Sequence, residues 1–190
     1  MALPDTSVLQ VGTQIIFADH ATDFIGGATK TSLEVAGTDV QLDMTSVANG
    51  AAREAAKVDF GVSRASAFSV IASFEFAATP TTGEVVELYW APSPIETAAN
   101  GNIMSIDGVD AAAPSGIGTL AELVAASQLI GNFRCTNDAT PSVQTSVVGI
   151  LVPTERYGIL IVKNESGAAF HSDAVELHIV FNPITEVIID

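Results

Sequence analysis

Hydrophobic and polar residues alternate along most of this chain with a period of two. In SAFSVIASFEFAA, Phe68, Val70, Ala72, Phe74 and Phe76 fall on one face, and Ser69, Ser73 and Glu75 on the other. Side chains on an extended strand point alternately to its two faces, so this spacing predicts a half-buried β-strand. TTGEVVELYWAP repeats the pattern, with Val86, Leu88 and Trp90 inward and Glu84 and Glu87 outward. The intervening TPTTG holds the Pro and Gly of a turn, so the two strands are expected to form a hairpin.

The same template fits other segments. SVLQVGTQIIFA sets Leu9, Val11, Ile15 and Phe17 on one face, and TDVQLDM sets Val40, Leu42 and Met44 against Asp39, Gln41 and Asp43. AAKVDFG gives Ala56, Val58 and Phe60, and SQLIGNFRCT a shorter strand around Leu129–Cys135. AVELHIVFNP sets Val175, Leu177, Ile179 and Phe181 inward and Glu176, His178 and Asn182 outward. TSVVGILVP and YGILIVKN are apolar on both faces, which calls for cover on both sides from a second layer or a neighbouring subunit. TLAELVAAS carries Thr119 followed by Glu122, a capping-box spacing, so one short helix is expected there with Leu120, Leu123 and Val124 as its apolar stripe. NGAAREAA is read as a loop or strand entry. Ala91–Ser115, rich in Pro, Gly, Asn, Ser and Ala, reads as a long loop excursion.

About nine short strands separated by turn signals, with one short helix, predict an all-β fold: a β-sandwich of jelly-roll type. An immunoglobulin-like sandwich is the alternative, and its Cys…Trp…Cys pattern is missing. With no internal repeat and no hydrophilic linker, residues 1–190 are expected to form one domain. Residues 1–24 are expected to be a strand or arm that extends to a neighbour.

Composition adds an excess of apolarity. Hydrophobic residues make up 48% of the 190, and the mean hydropathy is +0.41. No run of about 18 apolar residues argues for a membrane-spanning helix, and MALPDTSVLQ does not read as a secretory signal. Subunit contacts are then the expected sink, because obligate interfaces resemble cores cut in half. The uncovered faces of the doubly apolar strands nominate Val147, Val148, Ile150, Leu151, Ile159, Leu160, Ile161 and Val162 as interface residues. Seven Lys and Arg oppose 22 Asp and Glu, a net charge of −15, which argues against nucleic-acid backbones and anionic membranes as partners. The one cysteine, Cys135, reads as a small buried hydrophobe on a strand.

The candidate chemistry is thin. His171, Ser172 and Asp173 are the residue types of a hydrolytic triad, but neighbours on an extended chain point apart and triads are assembled from distant positions. The histidines, His20, His171 and His178, lack metal-ligand spacing. Asp19, His20 and Asp23 form a polar loop. Asp107, Gly108 and Asp110 read as an Asp-Gly turn, since the calcium-loop pattern is missing. Glu84 and Glu87 are outward acids rather than a glycosidase pair. Asn164–Ser166 matches a glycosylation acceptor in form alone, and no phosphate-binding glycine loop is present. No catalytic residue, metal site or cofactor site is expected.

KVDFG (Lys57–Gly61), GEVVELYWAPS (Gly83–Ser93), RYGILIV (Arg156–Val162) and SGAAFHSDAVE (Ser166–Glu176) resemble stretches of small virion structural proteins of tailed bacteriophages, namely β-sandwich head proteins of the capsid decoration or cement type. The resemblance covers the central and C-terminal half of the chain. It implies a non-enzymatic protein repeated on the capsid surface, bound to the lattice of the major capsid protein. It further implies a homo-oligomer, often a trimer in such proteins, assembled in the bacterial cytoplasm. The alternative is a receptor- or carbohydrate-binding β-sandwich of a tail fibre or baseplate. That role wants exposed loop aromatics, whereas aromatic content is 6% and Tyr89 and Trp90 sit in a strand. A tail-tube or other internal virion protein is a further alternative, and a cell-surface lectin or adhesin is weakened by the lack of a secretory signal.

Overall fold

A computed structural model describes residues 12–21, 37–62, 65–138 and 142–184. The strands are β1 (Ile15–Ala18), β2 (Thr38–Gln41), β3 (Ala52–Glu54), β4 (Val58–Asp59), β5 (Ala67–Phe76), β6 (Val85–Ser93), β7 (Ala111–Ala113), β8 (Gln128–Arg134), β9 (Ser142–Leu151), β10 (Tyr157–Glu165) and β11 (His178–Ile184). One helix, α1 (Leu120–Ala126), precedes β8. Leu9, Val11 and Asp23 lie outside the described residues.

The pairing is nested. β1 pairs with β11, β3 and β4 with β10, β5 with β9, and β6 with β8, all antiparallel. The chain is thus one long hairpin whose apex lies between β6 and β8. Lateral pairing of β11 with β5 and of β10 with β6 rolls that hairpin up. The result is two layers, β2-β1-β11-β5-β9 and β8-β6-β10-β3-β7, with β4 beside β3 on β10. This is the jelly-roll sandwich that the strand patterning predicts. β2, parallel to β1, and β7 extend the edges.

The layers meet through one bridge, Gly131 to Gly149. A Cβ on Gly131 would strike the Val148 carbonyl oxygen, and one on Gly149 the Ile130 carbonyl oxygen. Only hydrogen in place of a side chain lets the two backbones approach this closely. Beyond this point Gln144 stitches the diverging strands: its Oε1 accepts from Thr136 N–H at 2.9 Å and its Nε2 donates to the Thr136 carbonyl at 2.8 Å.

The core lies between the layers and is rich in rings. Phe74 meets Phe133 edge-on at 4.9 Å and stacks on Phe170 at 5.0 Å. Phe60 bridges Phe68 and Trp90 at 4.9 and 5.0 Å. Phe68, Val70, Ala72, Phe74 and Phe76 of β5, and Val86, Leu88 and Trp90 of β6, are all buried there. The inward faces follow the sequence pattern, as do those of Val40, Leu42 and Met44. The expected β5–β6 hairpin does not form. The two strands belong to opposite layers and face each other across the core. Period two reveals which side of a strand is inward, not which strand lies beside it. Residues 77–84 make an arch, longer than the tight loops of about 2–5 residues that close hairpins. Its amides go elsewhere: Ala77 N–H donates to the Ala169 carbonyl, Thr81 N–H to Ser166 and Gly83 N–H to Cys135.

The excursion after β6 is ordered and forms a cap. Its 3-10 turn (Ile103–Ser105) and α1 lie on the outer face of the β6–β10–β3 layer, and β7 pairs along the β3 edge. Ile106 and Leu123 are buried there against Ala52, Ala91, Ile159 and Ile161. The capping box holds as expected: Glu122 N–H donates to Thr119 Oγ1, and Thr119 N–H to Glu122 Oε2 at 2.8 Å. Leu123 is the fully buried member of the stripe, Leu120 packs beside it, and Val124 is half-buried. This cap is why β10 is apolar on both faces. Leu160 and Val162 enter the main core, and Ile159 and Ile161 enter the second one.

Candidate functional surface

The polar candidates are spent on holding loops. His171 Nδ1 accepts from Asp173 N–H at 3.1 Å, and Asp173 Oδ1 accepts from Val175 N–H at 3.0 Å. The row His171–Ser172–Asp173 is therefore a self-bonded turn, with Ser172 and Asp173 exposed. His171 Nδ1 also lies 3.6 Å from Glu75 Oε2 on β5. His20 Nε2 lies 3.0 Å from the Ile16 carbonyl oxygen. His178 is fully buried on the outer side of β11, and burial pulls its pKa down to about 4, so the ring is neutral. Alternation assigns His178 to an outward position, which is its direction on the strand but not its exposure.

Asp110 pins the cap. Its Oδ1 accepts from Arg53 Nε at 2.6 Å, and its Oδ2 from Asp43 N–H at 3.0 Å. Asp107 N–H donates to Ser115 Oγ at 2.9 Å. Glu54 is fully buried, and its carboxylate accepts from Ser115 N–H and Oγ at 2.9 and 2.7 Å. Burial raises the Glu54 pKa above the ordinary carboxylate value, against those hydrogen bonds. Lys57 Nζ donates to the carbonyls of Ile95, Thr97 and Asn100 at 2.7–3.0 Å and to Ser93 Oγ at 3.1 Å. Glu87 pairs with Lys163 at 3.0 Å, while Glu84 is exposed. The Cys135 thiol is buried, and burial with the Glu84 charge pushes its pKa up to about 11, far from a reactive thiolate. Asn164 is fully buried, with Nδ2 donating to the Val47 and Ala168 carbonyls, so it offers no glycosylation site.

A cavity of about 370 Å³ opens beside β4, between Thr13, Ile15, Thr38, Asp59 and Phe68. Asp59 is the one ionisable group among the described residues that line it, and it is bound twice by Arg156, at 2.7 and 2.6 Å. That hydrogen bonding holds its carboxyl below the usual range. Among the described residues the cavity therefore brings no acid–base pair together. Among the described residues no cluster of three or more metal-ligating side chains forms, and no helix is long and apolar enough to cross a membrane.

The eight nominated interface residues divide. Ile159, Leu160, Ile161 and Val162 are fully buried by their own chain and leave no surface for a neighbour. Leu151 points into the main core and Val148 packs against it. Val147 and Ile150 are open, 64% and 59% exposed. They stand on the outer side of β9 because they lie opposite Ile71 and Ser69, the outward residues of β5. Val143 shares that side at 45%, and Val152 follows at 56%. The register shift between Val70 and Ile71 breaks the alternation of β9, so Val147 and Ile150 share the outer side although they are three positions apart.

Comparison with protein-family models, curated proteins and solved structures gives no match.

Proposed function

We propose that this chain is a non-enzymatic virion structural protein, a capsid decoration or cement protein that binds and stabilises the head lattice of a tailed bacteriophage. The observation that carries the reading is a division of labour among its side chains. Among the described residues, candidates such as His171, Asp173, Asp110 and Asp59 are tied into turns, the cap and ion pairs, whereas a strand face of Val143, Val147 and Ile150 is left bare. A surface of that kind serves contact rather than turnover. A rolled sandwich with an ordered cap on one layer suits a rigid part repeated on a lattice. The acidity suits docking on basic capsid surface and keeps a protein with bare apolar surface in solution. The four strand-and-turn stretches that resemble phage head proteins supply the kind of lattice, and with it the major capsid protein as partner and the capsid surface as location.

Carbohydrate recognition by a tail fibre or baseplate is less well supported. Sugar platforms use exposed aromatic rings. Among the described residues Trp90 and Tyr157 are buried, Tyr89 is half-buried and no phenylalanine is exposed. Co-sedimentation of the purified chain with undecorated heads tests the proposal. Saturable pelleting at a fixed ratio to the capsid subunit is expected. Saturable glycan binding without head binding would move the assignment to receptor recognition.

A further inference from the structure

We propose that the outer face of β9 is a self-association surface, on which a second copy of this chain docks antiparallel about a two-fold axis. The inference deepens the decoration reading and rests on it only for its biological setting.

Residues 139–154, ATPSVQTSVVGILVPT, are the longest uncharged run in a chain of net charge −15. Asp138 and Glu155 bracket it. Within this run Val143, Val147, Ile150 and Val152 are exposed. The neighbouring outward positions of the same layer are closed: Ser73, His178 and Val180 are buried, and Ile71 is half-buried. β9 carries most of the bare apolar surface of its layer, with Ile184 at the end of β11 beside it.

Charge selects the occupant. Two copies meeting on this strip bring together mainly uncharged side chains, with Asp138 and Glu155 only at its ends, whereas the acidic excess of the chain lies elsewhere. A basic partner would gain nothing from a neutral strip. Geometry selects the symmetry. A head-to-tail contact needs a second complementary patch, whereas a two-fold contact needs one patch used twice. Of the other exposed large hydrophobics among the described residues, Val62, Ile95, Val109, Ile117 and Val175 sit singly in loops, and Leu129 and Ile184 stand singly on β8 and β11. Among the described residues the β9 row is the one run of several exposed apolar side chains, and in an antiparallel arrangement Val147 falls near its middle and faces its own copy.

Sedimentation of the full chain across the micromolar range tests this. A dimer is expected, and Val147→Glu should weaken it at least about tenfold, since the axis sets two like charges face to face. Ile150→Glu should act in the same direction. Both positions are exposed, so circular dichroism should stay that of the wild type, and so should the unfolding midpoint at concentrations low enough for both chains to be monomeric. Mixing Val147→Lys with Val147→Glu should restore a heterodimer, which a structural defect would not allow. A monomeric or trimeric wild type, or a Val147→Glu chain that dimerises as the wild type does, overturns the proposal. Head binding separates the two readings. A monomeric wild type that still coats heads overturns the pairing alone. A dimer that Val147→Glu breaks, in a chain that never binds heads, supports the pairing and overturns the lattice role.

Discussion

Gly131 and Gly149 show how much one atom decides in this chain. Each faces the backbone carbonyl of the other strand, where the two layers meet. Gly149→Ala should therefore cost about 1–3 kcal/mol by overpacking, read as a lower urea midpoint with an unchanged slope. His178 makes the second residue-scale prediction. Its pKa is about 4 in the fold, against the ordinary value of 6.5 that it recovers on unfolding. As pH falls between those values the unfolded chain takes up the proton first, so this contribution to stability is intact above about 6.5 and lost toward 4. The shift corresponds to a loss on the order of 3 kcal/mol. Glu54 acts in the opposite sense, because its raised pKa makes the fold hold its proton more tightly as pH falls. Urea midpoints from pH 7 to 4 should show a shallower fall for His178→Leu than for the wild type, and a steeper one for Glu54→Gln. These burials were not legible in the sequence. Alternation marks His178 as outward, and nothing local announces that this part of the outer face is closed.

At the scale of elements, the cap is the feature the sequence half revealed. Thr119 and Glu122 announce α1, and the apolar run Ile159–Val162 announces cover on both sides of β10. That the cover comes from the chain's own excursion was hidden, because Ala91–Ser115 is loop-like in composition and its docking depends on distant partners such as Arg53, Glu54 and Lys57. Leu123→Ala should cost about 2–5 kcal/mol of local stability. Hydrogen exchange should then quicken across residues 94–127 while the amides of β5 and β11 keep their protection. Ile161→Asp should unfold the monomer itself, since it buries a carboxylate in the second core. A soluble, folded Ile161→Asp chain would contradict this placement. The β5–β6 arch belongs to the same scale: its inward faces were readable residue by residue, but its partners were not.

At the scale of the molecule, strand count and alternation sufficed for the sandwich, because a period of two needs only local sequence. The rolled order needed the pairing of the first strand with the last, which no window of sequence contains. The candidate surface was half legible for the same reason. Val147 and Ile150 stood out as apolar, but the bulge in β9 and the cap over β10 decided which apolar residues stay open. The proposed lattice role rests, at this scale, on an acidic sandwich with a bare neutral strip among the described residues. Cryo-electron microscopy of undecorated heads with and without the purified chain tests that role most directly. Added sandwich-shaped density at regular lattice positions with a fixed number of copies per particle is expected; heads that look the same with and without the chain would contradict the lattice role.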